Sequence, residues 1–157
     1  MLCERADHFD RFATTRTETM RQLVVVDTDK TVVASGVSAG QVRGDPDHLA
    51  RVVRNLIDNA LRRATSTVHV SVTSLGDGQA VLAIDDHGAG VAESDREQIF
   101  ERLGRLDEAR ARDDGGSRLG LAIVASIVAD HGRTITVDTS PMLGGARFSV
   151  ILTDARV

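Results

Sequence analysis

The feature that most constrains this 157-residue chain is the stretch Pro46 to Arg63, PDHLARVVRNLIDNALRR. Its apolar residues Leu49, Val52, Val53, Leu56, Ile57, Ala60 and Leu61 recur at three- and four-residue intervals, the period of a helix that buries one side. Asp45 is placed to cap the free N–H groups at its start, and Pro46 suits the first helical position. That face belongs to a core. Asn55, Asn59 and Arg62 fall at i, i+4 and i+7 and make a second stripe of two carboxamides and a cation. A carboxamide oxygen is a neutral ligand for a hard cation such as magnesium, and a guanidinium suits phosphate. On this helix alone the stripe is equally what a solvated face looks like, so the later segments decide.

With 41% hydrophobic residues, the chain suits one compact domain with a sizeable core. A formal charge of −4 and a pI near 5.7 argue against a general nucleic-acid binder, which would carry a basic face. Cys3 is the single cysteine, which excludes an internal disulfide framework or a cysteine metal cluster. No apolar run approaches the roughly 20 residues needed to span a bilayer, and the N-terminus lacks a signal peptide's apolar core. The expectation is a soluble, cytoplasmic chain.

Residues 1–21 are polar and read as a tail or a remnant of a helix, with the domain proper over 22–157. Leu23 to Val26 and Thr31 to Ala34 read as a strand pair or one interrupted strand, and Val37 to Val42 as a further short strand. After the central helix, Val68, Val70 and Val72 alternate with His69, Ser71 and Thr73, the period of a half-buried strand. Gly76-Asp77-Gly78 then turns the chain into Ala80 to Ile84, an antiparallel hairpin in which His69 reads as a surface residue. Ser94 and Glu97 have capping-box spacing, predicting a short helix over 95–103 with Ile99, Phe100 and Leu103 at core spacing. Residues 104–116 are charged and glycine-flanked, a long mobile loop. Leu119 to Ala129 is apolar nearly all round and ends at His131-Gly132, and two strands follow at Thr134 to Val137 and Arg147 to Leu152. The pattern predicts an α+β protein with a mixed sheet and helices on one face.

Three further segments carry candidate chemistry. In Asp85-Asp86-His87-Gly88-Ala89-Gly90 a strand ends in a carboxylate followed by glycines, a combination able to accept a hydrogen bond from an amino group such as adenine's and to let backbone approach a flat ring. In Ile99-Phe100-Glu101-Arg102-Leu103-Gly104-Arg105 a helix end delivers Arg102 and Arg105 towards the loop. In Gly115-Gly116-Ser117-Arg118-Leu119-Gly120-Leu121 a glycine-rich loop enters a helix, a junction whose free N–H groups and dipole favour phosphate.

In this order and spacing the four segments resemble the N, G1, F and G2 boxes of the histidine-kinase ATP-binding domain, a member of the ATPase superfamily shared with gyrase, Hsp90 and MutL. The resemblance spans roughly residues 38 to 153. It implies the family's two-layer α/β sandwich, a Bergerat-type fold with about five strands, three main helices on one face and a flexible lid over ATP. Under this resemblance Asn59 is the magnesium-binding asparagine, Asn55 the asparagine one turn earlier and Arg62 a basic residue that contacts phosphate. Asp86 takes the place of the aspartate that recognises the adenine amino group, with Gly88 and Gly90 shaping that site. Arg102 and Arg105 match F-box basic positions; Gly116, Leu119, Gly120 and Leu121 match the second glycine box, with Ser117 and Arg118 inside that segment as further candidate nucleotide contacts and Arg105 to Ser117 as the lid. ATP and Mg2+ are the implied ligands.

Two residues depart from the pattern: Arg118 stands where the family often has glycine, and Leu103 where a second aromatic is usual. Asn55 also discriminates within the superfamily, whose hydrolases and serine-kinase anti-sigma factors resemble one another in having a glutamate there that can act as general base. Asparagine cannot. The implied activity is therefore ATP-dependent phosphorylation of a histidine, with Asn55, Asn59 and Arg62 as the residues placed for it. The phosphoacceptor histidine of the family lies in an H-E/D-x-R/K-T-P-like segment, and none of His8, His48, His69, His87 and His131 has that context. The expectation is the ATP-binding half of a split sensor kinase, a cautious monomer acting on a separate histidine-bearing dimerisation protein that feeds a response regulator. The rivals are a nucleotide-binding regulatory module without transfer, favoured by Arg118 and Leu103, and an anti-sigma-factor-like serine kinase, disfavoured by Asn55.

Overall fold

The computed structural model describes residues 22–27, 30–35, 42–101 and 115–154. Strand β1 (Gln22–Asp27) turns back antiparallel onto β2 (Lys30–Ser35), and the two-residue β3 (Val42–Arg43) leads into helix α1 (Pro46–Arg63). Strands β4 (Thr67–Ser74) and β5 (Gln79–Asp86) form the hairpin the alternation predicts, with Val70 opposite Ile84. Helix α2 (Gly115–Asp130) is followed by β6 (Ile135–Thr139) and β7 (Ala146–Asp154).

The sheet runs β1-β2-β4-β5-β7, and both β6 and β3 pair with β7. Only β2 and β4 are parallel, so the sheet is mixed, as the pattern predicts. It has seven strands among the described residues rather than about five, because β1 extends one edge as a hairpin and the short β3 adds to the other. Of the segment 37–42 that reads as a strand, only Val42 belongs to one; 37–41 lie outside the described residues.

Helices α1 and α2 pack on one another, and α1 lies on β4 and β5. The core between the layers is built from Val52, Leu56 and Ala60 of α1, Val124 of α2, and Ile84 and Phe148 of the sheet. Both ends of α1 are fastened. Asp45 Oδ1 accepts the N–H groups of Asp47 at 2.9 Å and His48 at 3.1 Å, as the sequence predicts. At the other end Lys30, the chain's only lysine, donates to the Leu61 carbonyl at 2.6 Å and satisfies one of the last-turn acceptors.

The helix predicted over 95–103 is not formed in its described part. Two 3-10 turns, Glu93–Asp95 and Gln98–Phe100, stand there, and neither has a side-chain cap. The Ser94 hydroxyl donates to Asp95 Oδ1 at 3.0 Å instead of accepting a helix N–H. Arg96, between the turns, is drawn to Asp138 Oδ1 at 3.0 Å and Thr139 Oγ1 at 3.2 Å on β6, which fixes the backbone between the two turns against the sheet edge. Of the apolar residues expected at core spacing, Ile99 and Phe100 pack against the core, Phe100 meeting Phe148 edge-on with ring centroids 6.2 Å apart, and Leu103 lies outside the described residues.

Leu56 has no exposed surface and bridges α1 to the core. Leu56→Ala is expected to cost about 2–5 kcal/mol, a large share of the roughly 5–15 kcal/mol of a typical domain, measured as a fall in the urea midpoint at unchanged slope.

Candidate functional site

The end of β5, the buried side of α1 and the start of β7 meet at one end of the sheet. Along β5, Leu82 and Ile84 face the helices, so the two-residue period turns Asp86 to the helix side and Asp85 to the opposite face. Asp86 is 1% exposed, and its Oδ1 accepts the N–H of Gly88 at 2.9 Å and of Ala146 at 3.2 Å. Its Oδ2 takes no hydrogen bond from the described residues. Burial pushes the carboxyl above its ordinary range; the Ala146 and Gly88 amides oppose this, neighbouring Asp85 adds to it, and Arg63 pulls it back.

Two glycines make this arrangement sterically possible. A Cβ on Gly88 would stand 2.5 Å from the Arg63 carbonyl oxygen and 2.8 Å from Asp86 Oδ1, so the turn after β5 lies directly on the last residue of α1. A Cβ on Gly145 would overlap the carbonyl and carboxylate of Asp86. Gly90, the other glycine expected to shape this place, comes within van der Waals reach of Gly145. His87, between them, is tied down: its N–H donates to Thr67 O at 2.9 Å, its carbonyl accepts from Thr65 N at 2.8 Å, and its Nδ1 is 2.7 Å from Ser66 Oγ.

On α1, Asn59 is 3% exposed and Asn55 half-buried. The Asn55 amide donates to Arg51 O at 2.9 Å, while its Oδ1 faces Gly120, standing 3.0 Å from where a Cβ there would lie. The asparagine stripe is thereby brought against the first turns of α2. Arg62 is exposed and donates from Nε to Asp58 O at 3.2 Å, back along its own helix. Leu121 is a core residue, and Leu119 is 59% exposed. Of Gly116, Ser117 and Arg118 only the backbone, the first turn of α2, is described; Arg102, Arg105 and the remainder of the expected lid up to residue 114 lie outside the described residues.

Gly145 and Ala146 are the site residues that sequence reading missed. The only signal was Gly144-Gly145, which reads as a plain turn until the register of β7 against β5 is known. Among the described residues no three His, Cys, Asp or Glu side chains form a metal-binding group. The donors facing the ligand side are carboxamides, which fit a hard cation that keeps water and phosphate oxygens as its other ligands, as magnesium does.

Residues 44–156 match the family described as histidine kinase-, DNA gyrase B-, and HSP90-like ATPase. Sensor protein RstB of Escherichia coli (strain K12) is 44% identical over 131 residues, covering 83% of this chain and 30% of RstB. The mycobacterial sensor histidine kinase MprB superposes with a TM-score of 0.61 at 33% identity, over 73% of this chain and 76% of that one. The ATP binding domain of PrrB from Mycobacterium tuberculosis does so with a TM-score of 0.59 at 30% identity, over 98% and 91% of the two chains. The chain therefore spans under a third of RstB's length.

Asp86→Asn separates folding from binding. The folded-state pKa of Asp86 is raised, so stability falls as pH rises through it, and at neutral pH the buried charge is a cost that asparagine lacks. The variant should melt no lower than wild type at pH 7, with the difference shrinking as the pH is lowered towards the carboxylate range. With Oδ1 still held by two N–H groups, the asparagine NH2 takes the Oδ2 position, and under the adenine role that the resemblance implies it would meet the adenine amino group donor to donor. Affinity for an ATP analogue should fall roughly 10- to 150-fold, the equivalent of a lost charged hydrogen bond, as read by calorimetry.

Proposed function

Because the chain belongs to the histidine kinase-, DNA gyrase B-, and HSP90-like ATPase family, we propose that it binds Mg-ATP and transfers the γ-phosphate to a histidine on a separate partner protein, which passes it to a response-regulator aspartate. The observation that carries this reading is Asn55 with its carboxamide against Gly120. In this reading an uncharged amide stands where a general base for water would be a carboxylate, so the bound triphosphate is kept for an incoming nucleophile. Asp86 holds the purine through Oδ2, and Gly88 and Gly145 let the ring lie flat on backbone. Asn59 is the residue that would hold magnesium, which when bound supplies charge neutralisation along the triphosphate. Arg62 reorients from its own helix carbonyl to the phosphates, with Arg102, Arg105 and Arg118 contributing from the lid side. Catalysis then rests on positioning and charge: the imidazole nitrogen attacks phosphorus in line as the bond to the β-phosphate oxygen breaks.

The histidines' settings support an acceptor outside these 157 residues. His48 and His131 face one another edge-on, His69 lies beside Asp85 on the sheet, and His87 is bonded to Ser66; none is in the family's acceptor segment, and His8 lies outside the described residues.

With labelled ATP, magnesium and a histidine-bearing dimerisation protein, acid-labile label should appear on the partner. Nucleotide binding with no transfer to any such partner would select the regulatory-module reading, and acid-stable phosphoserine on an antagonist the anti-sigma reading. Asn59→Ala should keep magnesium-free nucleotide affinity within a few-fold but lose the gain that magnesium brings, together with transfer. Equal magnesium dependence in both proteins would remove Asn59 from its role.

A further inference from the structure

On the helix-free face of the sheet, a row of polar side chains crosses four strands. His69 of β4 is opposite Asp85 of β5, Asp85 is opposite Arg147 of β7, and Arg147 is opposite Asp138 of β6. Asp85 has no exposed surface although no helix among the described residues covers it. Arg147 grips it in a fork, Nε to Oδ1 at 2.7 Å and NH2 to Oδ2 at 2.9 Å, and His69 Nδ1 approaches Oδ2 at 3.9 Å. Asp138 in turn is bonded to Arg96 between the two 3-10 turns. His69 is thus not the plain surface residue its strand position predicts; its side chain is 12% exposed.

The position of this fork matters more than its strength. Asp85 and Arg147 are the last paired residues of the β5–β7 ladder. One residue further, the Ala146 N–H leaves the ladder and donates to the Asp86 side chain. Ladder ends open readily, because the terminal rung has a neighbour on one side only. Here the terminal rung is pinned by a bidentate pair, whose planar geometry fixes orientation as well as distance.

The geometry points to Asp85 and Arg147 as positioning residues for nucleotide selection: their fork holds the end of β7 so that the Ala146 amide fixes Asp86 Oδ1, leaving Oδ2 aimed at the amino group of the purine. This rests on the reading of Asp86 as the adenine acceptor. Neither residue touches the nucleotide, and they lie on the far side of the sheet from it. Loosening the fork lets the Ala146 donor drift, Asp86 rotates towards solvent, and the preference for an amino-bearing purine goes with it. Contacts to the triphosphate, made from α1 and α2, are left as they were.

The test compares binding of ATP with binding of the triphosphate of purine riboside, which lacks the 6-amino group, by wild type and by Asp85→Asn, Arg147→Lys and the double variant. Wild type should prefer ATP by tenfold or more. Each single variant should bring the preference to within about threefold, with affinity for the purine riboside triphosphate changed less than twofold. The double variant should be no worse than the singles, because the pair acts as one unit. A merely structural role predicts lower melting temperatures with both affinities falling together and the preference intact; that result overturns the proposal. If Asp85→Asn does not fold, Arg147→Lys, which keeps the charge but loses the fork, decides alone. Wild type binding both nucleotides equally would instead overturn the reading of Asp86 itself.

Discussion

A carboxylate held almost entirely out of water is tolerated only where the protein replaces its hydration. For Asp86 that replacement comes from two backbone N–H groups belonging to residues far apart in the chain, Gly88 just after β5 and Ala146 at the start of β7. Much of the architecture follows from bringing them together. The β5–β7 ladder must stop at Asp85 and Arg147 so that the next amide is free to turn. Gly145 must lack a side chain because its backbone runs across Asp86, and Gly88 must lack one because the end of α1 lies against it. Burial raises the pKa of Asp86 although both amides on Oδ1 oppose it.

The helix supplies what the sheet does not. Asn55 and Asn59 are neutral, so this stripe of α1 adds no negative charge of its own. The C-terminal end of α1, where its dipole is negative, is offset by Arg62 and Arg63 in the last turn and by Lys30 on the Leu61 carbonyl. Because Gly88 packs on Arg63, the position of that helix end and the shape of the turn after β5 are one constraint. A shift of α1 along its axis would move the asparagines and disturb the carboxylate cradle at once.

Sequence periodicity revealed the elements whose pattern is local: the single buried stripe of α1, the two-residue alternation of β4, and the strand-ending acid at Asp86. Asp86 was legible because a carboxylate followed by two spaced glycines is compact in sequence. Gly145 and Ala146 were not, since their role exists only once β7 is laid beside β5, sixty residues apart at the Asp86–Ala146 bond. The helix predicted over 95–103 failed for a related reason: the Ser94 and Glu97 spacing is a local signal, and the pull of Arg96 to Asp138 on β6 is not. His69 read as exposed because alternation gives the face of a residue but not its cross-strand neighbour, here Asp85.

Asp85 and Asp86 show how far one backbone step can separate two identical side chains. Both are buried, at 0% and 1% exposure, and adjacent in β5, yet the pleat sends them to opposite faces. Asp85 has both oxygens engaged by one guanidinium, a bidentate pair that fixes its orientation. Asp86 is not forked by a guanidinium: two amides hold one of its oxygens, and Arg63 acts on it only as a nearby charge. A bidentate pair is suited to fixing geometry and an open carboxylate to recognising a ligand. Their roles therefore cannot be exchanged by sliding β5 one residue, since that slip would put the unpaired acid on the face without helices and the paired one over α1. The register of three strands, rather than the identity of either acid, sets which face each occupies and which partners it meets.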